Sequence, residues 1–503
     1  MAITGVGSSV SASQLALQNM QNQLDVLSRQ LGTGQKAAVY SDLGSQAGLT
    51  VGLDSQLAAI NGYSNTNTTI TTTLGIAEGT LSQIGDIENT VQTVATQPAG
   101  FTLNANGQTA LQTNAAGQLD QVLNLFNTQV GDNYIFSGSA LNKPSVDTTA
   151  HILNGNGSAA GLKQVIAERN QADLGASGLG RLVIPAASGA TLSINEDVAG
   201  SPFGLKLAGV NSTLTGATVT QPAGSPKAVT VTLGSNPNNG DSVQFSLTLP
   251  DGTSQSISLQ ATSAASPGAN QFAIGATPAA TAANLQAALT AAVGNLAQTT
   301  LPAASAVAAA NNFFSQNPPQ RVAGPPFNTA TALQNGTPAD TVFWYTGESG
   351  ATPARQTAIA QVGPTTTVSY GMRANEQAFS TLVANVAVLA STSYSPTNTN
   401  AAASYSALTT RVGSNLSIQQ GAQNISDVDA DIANAQVTAK NAQTVNQQTQ
   451  TTLTNMLQGI EGVSTDQIGA QILTLQNNLQ ASLSTTARLS QLSLVAYLGG
   501  TTG

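Results

Sequence analysis

Cysteine is absent from the 503 residues and histidine occurs once. Without thiols there can be no disulfide frame, no thiolate nucleophile and no c-type haem attachment. A zinc centre, which takes three or four His, Cys or carboxylate ligands, is short of donors. Charge is scarce as well: Lys plus Arg is 14 and Asp plus Glu is 23, or 7% of the chain, against about 25% in ordinary globular proteins. The net charge of -9 argues against nucleic acid, which needs a basic stripe, and against anionic membrane surfaces. No run of about 18 apolar residues reads as a membrane span. The opening residues have no basic cluster and no long apolar stretch, and the first basic residue is Arg29, so no Sec signal is expected. H-E-x-x-H, G-x-S-x-G and G-x-x-x-x-G-K-[ST] are all missing. The expectation is a protein that is not an enzyme and needs no cofactor or metal.

Proline is withheld from both ends. All 19 prolines fall between Pro98 and Pro396, and proline costs about 3 kcal/mol inside a helix. Two helix-compatible ends therefore flank a middle of turns and strands. Periodicity agrees. Leu17, Met20, Leu24, Leu27 and Leu31 step by three and four. Ile70, Leu74, Ala77, Leu81, Ile84 and Val91 form a second seam, interrupted by Glu88. Ile425, Val428, Ile432, Ala435, Ala439, Ala442, Asn446, Thr449, Leu453, Met456 and Ile460 predict a long helix over 425–461, and a last helix begins at Ile468, Ile472, Leu475 and Leu479. Seams this narrow read as coiled coil more than as ordinary amphipathic core helices. Asn446 and Thr449 are polar at core positions, where such residues trade stability for register or oligomer choice. The flanks are uncharged, which suits helices facing other protein, and neither end can bury its seam alone. Pairing of the N-terminal with the C-terminal helices is the simplest solution.

Between the ends, Leu119–Val130 reads as amphipathic and leads into a strand and turn at 132–138, with a return helix from Arg373 to about Leu389. Val229–Leu233, Val243–Leu249 and Ser256–Leu259 alternate like strands, and Pro250-Asp-Gly252 marks a hairpin. Two Ala-rich helical stretches follow, 279–296 and 303–314. The fold class is α+β and multidomain: paired terminal helices in a coiled-coil-like rod, with strand-rich outer domains between them. The expected divisions are 1–140 and 366–503 for the helical segments, 141–221 and 317–365 for strand-rich parts, and 222–316 for a compact inserted α+β module.

Three features invite chemistry and each has a plainer account. His151 sits in a Gly- and Asn-rich region and reads as solvated. Asp427, Asp429 and Asp431 evoke a calcium loop, yet Ile432 and Thr438 stand where an EF-hand needs Gly and Glu; carboxylates at a helix start are stabilised by its free amides. Trp344 with Phe343 and Tyr345 reads as part of a sheet core, with a carbohydrate-facing platform as the alternative.

Leu27-Ser-Arg-Gln-Leu-Gly-Thr-Gly-Gln-Lys36 resembles the stretch after the first helix of bacterial flagellins, and Asn424-Ile-Ser-Asp-Val-Asp-Ala430 is similar to the opening of their C-terminal helix. The resemblance covers about 1–140 and 366–503. Within the family, Tyr134-Ile-Phe-Ser-Gly138 and Leu489-Ser-Gln-Leu-Ser-Leu-Val-Ala-Tyr-Leu498 look like the hook–filament junction branch (hook-associated protein 3), while chain length and Ala38-Val-Tyr-Ser-Asp-Leu-Gly-Ser45 leave filament flagellin open. A secreted adhesin with a helical stalk would need a sorting signal, and none is visible. The resemblance implies unfolded type III export, an extracellular flagellar location, and partners drawn from self, other flagellar axial proteins and an export chaperone, with no nucleic acid or membrane. It also implies that 1–35 and 465–503 order on assembly. The implied assembly interface is Leu17, Met20, Leu24, Leu27, Leu31, Ile472, Leu475, Leu479, Leu489, Leu492, Leu494 and Leu498.

Overall fold

A computed structural model describes residues 3–97 and 100–499, with side chains from 11 to 491 apart from 98 and 99. The helices are α1 (Ile3–Thr33), α2 (Ala47–Thr96), α3 (Ala110–Phe126), α4 (Thr149–Asn154), α5 (Leu162–Leu174), α6 (Pro278–Ser315), α7 (Gln377–Ser391), α8 (Ala401–Asn415), α9 (Ile425–Glu461) and α10 (Thr465–Gly499). Long N- and C-terminal helices thus flank a region that holds the strands. The chain forms two compact units. One comprises Met1–Ile70, Gln361–Thr367 and Thr438–Gly503; the other comprises Thr71–Ala360 and Val368–Val437. Two of the divisions fall inside helices, α2 and α9, and the segment Gln361–Thr367 belongs to the first unit.

The long helices are made of Thr, Ser, Asn and Gln without many charges, and they satisfy those groups internally. Hydroxyls of Thr66, Thr80, Thr90, Thr93 and Thr96 on α2 donate to the carbonyl four residues earlier. Thr449 of α9 does the same to Val445 at 2.9 Å. Such back-bonding removes a polar group from the seam at little cost. In the first unit, Leu53 and Ile60 of α2 pack with Leu453 and Leu457 of α9, edged by Leu57, Tyr63 and Ile460. Met456, expected on that seam, is 48% exposed. After Leu453 the seam steps by four to Leu457 instead of three, because a straight helix of 3.6 residues per turn drifts off a strict heptad.

In the second unit one sheet runs β3 (Leu182–Val183), β4 (Thr191–Glu196), β7 (Ala228–Leu233), β6 (Ala217–Val219). The other runs β10 (Gln271–Ala273), β9 (Ser254–Thr262), β8 (Ser242–Thr248), β5 (Lys206–Ser212). Both share one core with α6, in which Ile194, Val231, Phe245, Leu259, Leu285 and Leu289 are buried. Antiparallel pairing sets Leu192 opposite Val231 and Val210 opposite Phe245. The pairing therefore crosses residue 222, and the expected module 222–316 is corrected: its sheets begin at Leu182. Gly224 and Pro226 lie in the turn of a hairpin closed by mutual hydrogen bonds of Ala223 and Ala228, with Pro222 just before it, a local composition that also reads as a linker. The 141–221 part carries α4 and α5 beside its strands. The 317–365 part holds the hairpin of β11 (Gln320–Val322) and β12 (Leu333–Asn335) and the short β13 (Ile359–Gln361). The remaining strands are β1 (Gln129–Val130), β2 (Asn133–Tyr134) and β14 (Thr367–Ser369).

The two expected Ala-rich helices are one. Pro302 sits inside α6, where it cannot donate to the carbonyl of Gln298; that oxygen accepts Ser404 Oγ of α8 at 3.0 Å instead. Trp344 is buried but lies outside any strand: its ring stacks edge-on to Phe314 at 5.2 Å and Nε1 donates to the Phe314 carbonyl, so it caps the end of α6. The return helix α7 starts at Gln377, four residues after the expected Arg373. Pro-free local sequence did not reveal that 373–376 turns first, with Arg373 N–H donating to Glu376.

Candidate assembly surface

The turn Gly32-Thr-Gly34 ends α1 in a defined way. Gly34 has φ +70°, the left-handed conformation that closes helices, and its N–H donates to Gln30 O at 2.8 Å. Its own carbonyl then accepts Val463 N–H at 3.0 Å, while Lys36 N–H donates to Glu461 O at 2.7 Å. Lys36 Nζ adds a bond to Gly459 O. Chain entering from α1 is thereby clamped to chain leaving into α10, which makes the two helices an antiparallel pair.

Along that pair the seam is only half covered. Leu17, Met20, Leu24 and Leu27 on α1, and Ile472, Leu475, Leu479 and Leu489 on α10, are all of intermediate exposure. Leu31 is 41% exposed, contrary to its expected seam position, because the helix is about to end and the clamp turns the chain away. Side chains of Leu492, Leu494 and Leu498 lie outside the described residues. Ile468, next to the clamp, is buried. Between the helices runs a groove of about 890 Å³, lined by Val26, Leu27 and Leu475 together with several Asn and Gln side chains. Leu15 (61% exposed), Val26, Leu473 (63%) and Leu483 are apolar residues off the heptad that sequence periodicity passed over. Their signal was apolar identity one or two steps beside the seam.

A second anchoring point lies at the polar core positions. Asn67 of α2 and Asn446 of α9 each donate Nδ2 to the same carbonyl, that of Val362, at 2.9 and 2.8 Å. All three residues are buried. Asn446 was legible as an anomaly; its acceptor, 84 residues away in sequence, was not, and Asn67 was missed.

The flagellin-like turn at 134–138 also has a physical basis. Phe136 closes a triad with Phe126 and Phe379, ring centroids 5.2 to 5.8 Å apart. Gly138 has φ +64° and donates its N–H to Met372 O at 2.9 Å; a Cβ there would meet Arg373 and Glu348 at 3.1 Å.

The other candidates resolve structurally. His151 Nδ1 lies 2.9 Å from Asp147 and the side chain is 40% exposed. Asp427 and Asn424 cap the start of α9 reciprocally, each side chain taking the other's backbone N–H at 2.9 and 3.0 Å. Sequence reading missed three ion pairs in the second unit whose arginines are largely covered: Arg169 pairs with Asp173 at 2.8 Å, Arg181 with the exposed Asp197 at 2.7 Å, and Arg321 with Glu168. The signal for the first pair was the four-residue spacing on α5. Among the described residues no group of three metal-ligating side chains converges, and no helix is long and apolar enough to cross a membrane.

Residues 8–140 match the bacterial flagellin N-terminal helical region. The matched span runs from α1 to the turn just past Gly138. No curated protein matches the chain. The match supports the flagellin family.

Proposed function

We propose that this chain is a structural subunit of the bacterial flagellum, exported and then self-assembled outside the cell through its terminal helices. The observation that carries the reading is the half-covered α1/α10 seam in a chain whose first 140 residues resemble flagellin. Two helices held in register by a backbone clamp still leave Leu24, Leu27, Leu475 and Leu479 partly in water. Burying apolar surface stabilises by about 25 cal/mol per Å², so a second copy laid against the pair gains what one chain leaves unused. Uncharged Asn and Gln walls suit this: they form hydrogen bonds across a contact without the desolvation cost of ions.

Within the flagellum the reading is the hook–filament junction protein, supported by Tyr134–Gly138 and the 489–498 stretch. Filament flagellin is the second reading, favoured by the length of the middle region. Axial neighbours and an export chaperone are the proposed partners. Immunogold labelling separates the readings: a spot at the distal end of the hook fits the junction protein, and label along the filament fits flagellin. Label on the cell surface away from flagella would overturn both in favour of a stalked adhesin.

A further inference from the structure

Glu88 interrupts the apolar seam of α2 between Ile84 and Val91, both fully buried. It is half-buried itself and forms no ion pair among the described residues. It lines a cavity of about 960 Å³ in the second unit. The facing walls are the end of α6, the start of α7 and the 416–424 connection from α8 to α9. They supply carboxamides and hydroxyls, and Glu88 is the single charged residue lining the cavity. Asn89, Asn311 and Asn375 line it without a side-chain hydrogen bond to any described residue. Behind the wall Glu376 is neutralised by Arg355, and Asp427 is engaged in capping Asn424. Among its lining residues the cavity therefore presents one carboxyl group, many hydrogen-bonding groups and no cationic side chain.

We propose that this cavity binds an organic cation, with an ammonium or guanidinium group seated on the Glu88 carboxylate and held by the surrounding amide oxygens. A half-buried, unpaired carboxylate loses part of its hydration, and no described residue restores it with an ion pair. A cation with several N–H donors restores it through charge-assisted bonds, and the amide oxygens accept the remaining donors. The same lack of compensation pushes Glu88 from its ordinary value up to about 7, and a bound cation reverses that by favouring the charged form. The volume exceeds one side chain and falls within the range of small-molecule sites. The cation can be a free small molecule or an Arg or Lys of a neighbouring copy; the chemistry at Glu88 is shared. The inference is independent of the assembly reading.

The test is calorimetric titration of the full-length unassembled chain with agmatine, using glycerol as the uncharged control. Saturable binding of agmatine alone is expected, with the Glu88 carboxyl NMR midpoint falling by about one unit or more. Glu88→Gln should weaken binding about tenfold or more. Asn311→Leu, which removes one wall amide at an exposed position of α6, gives a second readout should Glu88→Gln fold poorly. No binding at millimolar agmatine, or undiminished binding in both variants, overturns the proposal. Agmatine released when the chain self-associates identifies a neighbour's Arg or Lys as the cation, and agmatine retained identifies a free molecule; either supports the site.

Discussion

At the residue scale, a few polar side chains in apolar seams hold the most information. Asn67 and Asn446 share one acceptor, so the Val362 carbonyl keeps a partner when either is lost. A net hydrogen bond is worth about 0.5–1.5 kcal/mol. Asn67→Ala and Asn446→Ala should each cost about 1 kcal/mol, and the double variant more than their sum, since only then is a buried carbonyl orphaned. Urea unfolding of the four proteins in a cycle measures this; strict additivity would mean the clasp is not shared. Glu88 gives a pH signature of opposite kind. Its folded value, about 7, lies above the ordinary 4.5, so between those values the folded state holds a proton that the unfolded state has released. Stability should therefore fall as pH rises from about 4.5 through 7. Glu88→Gln should remove that slope and gain on the order of 1–2 kcal/mol at pH 8, after discounting for the solvent that reaches the group. A variant whose stability keeps the wild-type slope would assign the effect elsewhere. Asn446 and Glu88, unlike Asn67, were visible in the sequence as polar breaks in a period. What they meet was not, because Val362 and the cavity walls come from distant segments.

At the scale of elements, periodicity and punctuation were legible to different depths. The seam of α9 could be followed from Ile425 to Leu453, and the hairpin at Pro250-Asp-Gly252 falls where alternation and turn residues put it: Thr248 pairs with Ser254, and Gly252 takes φ +82°. Composition failed at 222, since Pro and Gly clusters mark hairpin turns as readily as domain joints. It failed again at Pro302, where Ser404 supplies the hydrogen bond that a proline inside a helix forfeits. The sheet pairing makes a concrete difference to engineering. Deleting 222–316 removes β7 to β10 and α6, leaving Leu192, Ile194, Leu207 and Val210 without the residues that bury them. Each such side chain loses about 1.5–3 kcal/mol of burial, so the deletion should yield an aggregating protein. Soluble yield and circular dichroism of the joined chain check this; a soluble, cooperatively folding product would restore a module boundary near 222.

At the scale of the whole molecule, the assembly surface stands on a difference between one chain and many. Truncating a half-covered Leu in a lone subunit forfeits roughly half its transfer free energy, about 1 kcal/mol. Once a neighbour covers the seam, the same truncation costs about 2–5 kcal/mol, and the excess falls entirely on the contact between subunits. Leu24 and Leu475 lie on opposite helices of the clamped pair, so Leu24→Ala with Leu475→Ala attacks both halves of the seam while leaving the clamp at Gly34, Lys36, Glu461 and Val463 intact. The double variant should keep the spectrum and thermal transition of the second unit. If the contact loses about 1.4–2.8 kcal/mol, the concentration needed for polymerisation rises about 10- to 100-fold. Sedimentation of wild-type and variant chains across a concentration series reads that threshold directly. An unchanged threshold would remove the α1/α10 seam from the subunit contact and move attention to the outward apolar residues Leu15, Leu473 and Leu483. A threshold that rises together with loss of the second unit's transition would instead mark the substitutions as disruptive to the chain itself.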